Sequence, residues 1–137
     1  MIEGNQIIYA DCLDWLRDQP DNSVALVFGS PPYEAQRSYG IDFDLTGEAW
    51  VDWMVDVFRE SMRISTGLVG FVVDGFTKDY RWSATPALLM ADLHRAGVCL
   101  RKPPIYRRDG IPGSGGPDWL KNQYRTIDSR RNPRHSS

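Results

Sequence analysis

A chain of 137 residues, of which 42% are hydrophobic and 25% charged, has the composition of one soluble globular domain with a core of its own. Its two cysteines and two histidines are too scattered for a disulfide framework or a ligand cluster, so we predict no metal site and buried thiols at Cys12 and Cys99. Without a signal peptide or a bilayer-length apolar run, the chain is expected to be cytoplasmic and to have no membrane partner.

The net charge of −2 hides an uneven distribution of charged residues. Residues 1–100 hold 7 Lys and Arg against 15 Asp and Glu, a balance of −8, whereas residues 101–137 hold 9 against 3, a balance of +6. A basic segment joined to an acidic body is compatible with contacts to nucleic-acid phosphates. For residues 130–137 a solvated tail is the alternative interpretation.

The first predicted elements form a strand, a helix and a second strand. Residues 6–9 are typical of a short strand, and Asp11 is placed to cap a helix whose apolar face is formed by Leu13 and Leu16. Residues 20–22, Pro-Asp-Asn, are turn formers that end the helix.

The run Val-Ala-Leu-Val-Phe at residues 24–28 predicts a strand buried on both faces, closed by Gly29 and two prolines. Ser30, Pro31, Pro32 and Tyr33 therefore form a stiff turn at the carboxyl end of a strand, where ligands bind in open α/β sheets. Hydroxyl and carbonyl acceptors beside an aromatic ring suit a planar group that bears an amine, such as a nucleobase. The alternative is a structural strand exit with Tyr33 packed on the core.

The rest of the chain continues the alternation of helices and strands. Residues 34–45 read as a loop over the site, and Thr46 is expected to cap an amphipathic helix that Gly67 ends. A buried strand at residues 68–73, a helix from Thr85 that Gly97 closes, and a strand at residues 98–100 follow. The predicted core residues of the first helix are Trp50, Trp53, Met54, Val57, Phe58 and Met62, and its predicted outer face carries Asp52, Asp56, Arg59 and Arg63. This alternation predicts an α/β fold with a partial Rossmann-like, doubly wound, mainly parallel sheet and flanking helices.

Residues 8–16, 20–24 and 30–33, taken in order, resemble the opening of the amino-methylating DNA methyltransferases. The order is that of the permuted (beta-type) members, in which the catalytic turn precedes the methyl-donor motif, and the likeness extends from about residue 7 to residue 119. Serine as the first residue of the Ser-Pro-Pro-Tyr turn is usual in cytosine-N4 enzymes, whereas adenine-N6 enzymes usually carry aspartate.

The resemblance implies roles for particular residues. It makes Ser30, Pro31, Pro32 and Tyr33 catalytic, because their acceptors would hold the target amine while Tyr33 stacks on the flipped base. Asp11, with Cys12 beside it, would contact the donor, S-adenosylmethionine; Asp11 as a plain helix cap is the equal alternative. Double-stranded DNA is the implied partner, and the residues expected to meet it are Arg37, Tyr39, Arg107, Arg108 and Trp119.

The aromatic-Gly-x-Gly turn that builds the donor pocket in this family is not found in the sequence. Residues 1–109 are therefore expected to be the catalytic half of a methyltransferase domain, and residues 110–137 a Gly-rich loop and a basic, flexible tail. The predicted function is cytosine-N4 methylation of a specific DNA sequence, in a truncated or split form that a second chain would complete. The alternatives are an inactive remnant that binds DNA or protein, and a plain α/β interaction module.

Overall fold

The computed structural model describes residues 4–34 and 43–105. Three helices and two small sheets make up this part of the chain. In chain order the elements are α1 (Cys12–Asp18), β1 (Val27–Gly29), α2 (Gly47–Ile64), β2 (Val69–Phe71), β3 (Thr77–Lys78), β4 (Arg81–Trp82) and α3 (Thr85–Arg95). None of the helices in the described residues is long and apolar enough to cross a membrane.

The core lies between α2 and the two shorter helices. Helix α2 presents one apolar stripe, so its buried side chains recur at helical spacing. The core side chains, none more than 9% exposed, are Leu13, Leu16, Trp50, Val51, Met54, Val57, Ile64, Leu89 and Leu93. Trp53 and Phe58 are only partly buried, and Met62 is 38% exposed, so the prediction of Met62 as a core residue is wrong.

Parallel pairing of β1 with β2 agrees with the strand–helix–strand order, and a mixed structure with a small parallel sheet is compatible with the α/β class. The expected burial of β1 on both faces is wrong. Phe28 is 70% exposed, and Leu26 and Leu68 on the same face are 59% and 58% exposed. No described element packs over this face, whereas Phe71 on the opposite face meets Phe58 of α2 edge to face, with ring centroids 4.9 Å apart.

Two other predicted strands are absent from the described residues. Residues 6–9 and 98–100 pair with no neighbour, and the side chains of Ile7 and Tyr9 are fully exposed. A strand needs a partner for its backbone groups, and neither segment has one here. The structure instead forms an unpredicted antiparallel hairpin from β3 and β4, so the described pairing is not wholly parallel.

Local signals at the helix ends were partly correct. Asp11 caps α1 as predicted, because its Oδ1 accepts hydrogen bonds from the amides of Leu13 and Asp14, each at 3.0 Å. Gly97 closes α3 with φ of +81° and a backbone hydrogen bond to the His94 carbonyl. Gly67 does not end α2, which stops at Ile64; a Cβ at Gly67 would instead collide with the Ala25 carbonyl oxygen.

Arg63 joins the ends of two helices and is not the solvated residue that the sequence predicted. Its guanidinium donates to the carbonyls of Leu16 and Gln19, both at 2.8 Å, at the end of α1. It also forms ion pairs with Asp21 at 2.6 Å and Glu60 at 2.7 Å, which raise the pKa of Arg63. The planar group therefore fixes the exit of α1 against the last turn of α2.

Candidate active site

The turn of residues 30–33 leaves the sheet at the carboxyl end of β1. The Val72 amide donates to the Gly29 carbonyl at 2.9 Å, so the chain leaving β2 runs beside the turn at the same edge. Ser30 is exposed, and Pro31, Pro32 and Tyr33 are partly buried. The turn is therefore accessible at the edge where α/β proteins bind their ligands.

The hydroxyls of Ser30 and Tyr33, the first and last residues of the turn, form a hydrogen bond with each other. The Ser30 hydroxyl donates to the Tyr33 hydroxyl, with 3.0 Å between the oxygens. Because its proton points to Tyr33, the Ser30 oxygen has lone pairs left to accept a hydrogen bond from another group. Within the described residues, nothing donates to the backbone carbonyls of Ser30 or Pro31.

The back of the turn is fixed to α2. The indole N–H of Trp50, a side chain with no exposed surface, donates to the Pro32 carbonyl at 2.9 Å. Pro32 therefore contributes a structural contact, and its carbonyl is occupied. Among the described residues, the backbone carbonyls of Ser30 and Pro31 accept no hydrogen bond and stay available to another donor.

Glu34, the residue after the turn, is a buried carboxylate that the sequence reasoning missed. It has no exposed surface. Its Oε2 accepts a hydrogen bond from the Gly47 amide at 2.7 Å, and its Oε1 accepts one from the Thr85 hydroxyl at 2.6 Å. Glu34 thereby joins the first residue of α2, the first residue of α3 and the end of the turn.

Glu34 also caps the N-terminus of α2, a role that the sequence analysis predicted for Thr46. Thr46 is the N-cap residue of α2 by position, but its side chain makes no capping hydrogen bond. The carboxylate of Glu34 reaches the Gly47 amide instead, and a negative charge at a helix N-terminus is favourable. No local signal could have revealed this role, because the partners of Glu34 lie 13 and 51 residues further along the chain.

Asp11 and Cys12 lie at the N-terminus of α1, and no hydrogen bond joins either side chain to the turn within residues 4–34 and 43–105. Asp11 uses Oδ1 for the helix cap. Cys12 and Cys99 are both exposed, so the prediction of buried thiols is wrong. Even so, the atoms packed around the thiol desolvate it and Asp11 lies nearby, and together they raise the pKa of Cys12 above its ordinary value.

The five residues predicted to contact DNA lie outside the described residues: Arg37, Tyr39, Arg107, Arg108 and Trp119. The same holds for residues 110–137, the predicted loop and tail.

Comparison with curated proteins gives matches to DNA methyltransferases. The chain is 37% identical over 67 residues to the DNA adenine methyltransferase YhdJ of Escherichia coli K12, a match that covers 45% of this chain and 21% of the relative. It is 32% identical over 92 residues to the type II methyltransferase M.Cfr9I of Citrobacter freundii, covering 62% of this chain and 31% of the relative. The type II methyltransferase M.XycI of Xanthomonas campestris pv. cyanopsidis is 31% identical over 93 residues, with coverage of 63% and 31%.

These matches support a relationship to DNA methyltransferases, over part of their length. The chain spans about a third or less of the curated relatives that it matches. No protein-family model and no solved structure matches it.

Proposed function

We propose that this chain carries the catalytic turn of a DNA methyltransferase that methylates an exocyclic amine of a base. The observation that carries the proposal is the turn of residues 30–33, which has available acceptors at Ser30 and Pro31 at the carboxyl end of β1 and is fixed by hydrogen bonds from Trp50 and to Glu34. The similarity to named DNA methyltransferases supports the same function independently. A Rossmann-like sheet, of which β1 and β2 would be neighbouring strands, is part of this proposal.

In the proposed reaction the turn holds the target amine. The Ser30 hydroxyl oxygen accepts one of its two N–H bonds and the carbonyl of Ser30 or Pro31 accepts the other, which orients the nitrogen lone pair towards the methyl group. Tyr33 stacks on the base, and stacking of this kind contributes about 1–3 kcal/mol. The nitrogen would gain the methyl group as the sulfur–methyl bond of the donor breaks, which would leave a neutral thioether, and the proton that the nitrogen loses would pass to solvent.

The methyl group is supplied, when the donor is bound, by the sulfonium of S-adenosylmethionine. Asp11 fits a role in holding the donor, because its Oδ2 accepts no hydrogen bond within the described residues while Oδ1 caps α1. Cys12 lies beside it as the first residue of α1. A second chain that completes the donor pocket stays a prediction.

Two target bases are supported by different observations. Serine at position 30 favours cytosine N4, as the resemblance of the turn implies. One of the relatives is named an adenine methyltransferase, which favours adenine N6. Both amines offer the same N–H donors to the turn.

A methylation assay tests the proposal. The full chain is incubated with duplex DNA of mixed sequence and labelled S-adenosylmethionine, and the modified bases are separated by mass spectrometry. Ser30→Ala and Tyr33→Phe remove the two hydroxyls, and Tyr33→Phe retains the stacking ring. Positive charge develops on the amine nitrogen as it is methylated, so we expect Ser30→Ala to lower the rate roughly 10- to 100-fold, the scale of losing one hydrogen bond to a charged group.

Ser23→Ala is the matched control, because Ser23 is an exposed serine in the segment that leads to β1. It is expected to leave the rate unchanged. A rate that survives Ser30→Ala together with Tyr33→Ala would contradict the roles given to the turn. DNA binding without methyl transfer would favour the inactive binding module instead.

A further inference from the structure

The hairpin of residues 77–82 has an unusual turn. Lys78 pairs with Arg81 across β3 and β4, and the two residues between them, Asp79 and Tyr80, have φ of 52° and 62°. A two-residue turn with positive φ at both positions normally carries Asn-Gly, because larger side chains are strained there. This conformation is unfavourable for a residue that carries a Cβ atom, as Tyr80 does. Strained turns of this kind concentrate at functional sites.

Hydrogen bonds connect the base of this hairpin to the candidate catalytic turn. Ser83 donates its amide to the Phe76 carbonyl at 2.9 Å, and its hydroxyl accepts from the Phe76 amide at 3.1 Å. The Ser83 hydroxyl also lies 3.5 Å from that of Thr85, which donates to Glu34 beside the turn. Two successive side-chain contacts therefore link the base of the hairpin to Glu34, the residue that follows the turn.

The two residues that flank the tip carry like charges on an otherwise acidic body. Lys78 and Arg81 are exposed cross-strand neighbours, and like charges in this arrangement repel each other. In the described part of the chain neither forms an ion pair, and the same holds for Arg59, Arg101 and Lys102, whereas Arg17, Arg63 and Arg95 each form one. Two adjacent cations without an ion-pair partner are suited to binding a polyanion.

We propose that the hairpin of residues 77–82 contacts the phosphate backbone of DNA next to the target base, with Lys78 and Arg81 each meeting a phosphate. This inference rests on the proposed function for its ligand. Tyr80, 76% exposed at the tip, would lie against the sugar–phosphate backbone between them. Charge complementarity and the position beside the turn favour DNA as the occupant, and residues 1–100, with their balance of −8, offer phosphates little attraction elsewhere.

The test measures binding of the full chain to fluorescein-labelled duplex DNA by anisotropy, at salt concentrations from about 50 to 200 mM. Lys78→Gln/Arg81→Gln is compared with Arg17→Gln/Arg95→Gln, which removes the same charge from exposed helical positions. Removing one cation that meets a phosphate should weaken binding by about tenfold at 0.1 M salt and make the salt slope shallower by about 0.9. We expect the hairpin variant to bind roughly 10- to 100-fold more weakly and the control to bind like the parent chain.

A third variant is expected to strengthen DNA binding. Asp79→Asn removes a negative charge from the tip and keeps a residue that tolerates positive φ, so it should bind DNA severalfold more tightly without unfolding the hairpin. Parent-like binding and salt slope for both hairpin variants would overturn the inference, as would a parent chain that binds no duplex. Equal losses in the hairpin variant and its control would also overturn it.

Methyl transfer separates the two proposals. Hairpin-dependent DNA binding without any methylation would leave the hairpin inference standing and contradict the proposed function. If methylation depended on Ser30 while the hairpin variants methylated and bound DNA like the parent chain, the proposed function would stand and the hairpin inference would be contradicted.

Discussion

Apolar side chains are buried on the helical side of this molecule, formed by α1, α2 and α3, and exposed on the outer face of its sheet side, formed by β1 and β2. On the helical side Trp50, Met54 and Leu89 are at most 2% exposed. On the outer face of the sheet, Phe28 is 70% and Leu26 59% exposed. Each helix stripe packs against another described helix, whereas only one face of the two-stranded sheet is covered by described residues.

The candidate turn lies where these two sides meet. From the helical side it is held by the Trp50 indole on the Pro32 carbonyl and by the buried carboxylate of Glu34. From the sheet side it is held by β1, which pairs over only three residues. The difference teaches that the helices position the candidate turn and supply most of the stabilisation, while the strands contribute the accessible edge.

The largest expected effect comes from truncating the helical side. Trp50→Ala removes a side chain with no exposed surface and the hydrogen bond to Pro32, and should lower the free energy of unfolding by about 3–5 kcal/mol. Phe28→Ala removes an aromatic ring from the sheet side and should change it by no more than about 0.5 kcal/mol. Urea denaturation of both variants measures the contrast. Equal losses would mean that the outer face of the sheet is covered in solution.

A smaller effect is expected at Glu34, which tests the support behind the turn. Glu34→Gln keeps the shape but removes the carboxylate charge, and its amide must face either the Gly47 N–H, which is also a donor, or the Thr85 hydroxyl, which would have to reverse and accept. The loss of a charge-assisted hydrogen bond should cost about 1–3 kcal/mol. Its control is Glu48→Gln, the same change at the same helix terminus but at an exposed position. The control loses only a favourable helix-dipole interaction, which is worth under about 1 kcal/mol.

Thermal unfolding of the two glutamine variants, measured side by side, gives the comparison. If Glu48→Gln cost as much as Glu34→Gln, the loss would come from charge at the helix end and not from the buried contacts. A parent-like stability for Glu34→Gln would contradict the account of how the turn is held.

Features whose partners lie nearby along the chain could be predicted from the sequence. The period of α2, the Asp11 cap and the Gly97 stop are local, and each was expected. The position of the turn was also expected, since two prolines after an apolar run must end the strand.

Features that depend on distant partners could not be predicted. An acidic residue after the turn reads as solvated, and only the fold brings Gly47 and Thr85 to Glu34. The helical period predicts Arg63 on the outer face of α2, and only the fold brings two carbonyls at the end of α1 within reach of its guanidinium. The hairpin was missed because Asp79-Tyr80 is a poor match to the residues that its turn normally needs.

The smallest expected effect concerns Cys12, at the start of the helical side. Desolvation and the neighbouring Asp11 raise the pKa of Cys12 above 9.0, so above that pH the folded chain holds the thiol proton more tightly than the unfolded chain does. The contribution of this thiol to stability is therefore intact below pH 9.0 and is lost as the pH rises through the raised pKa. Melting temperatures across this alkaline range should fall less steeply for Cys12→Ser than for the parent chain. Identical slopes for the two chains would mean that the thiol of Cys12 is as well solvated in the folded chain as in the unfolded one.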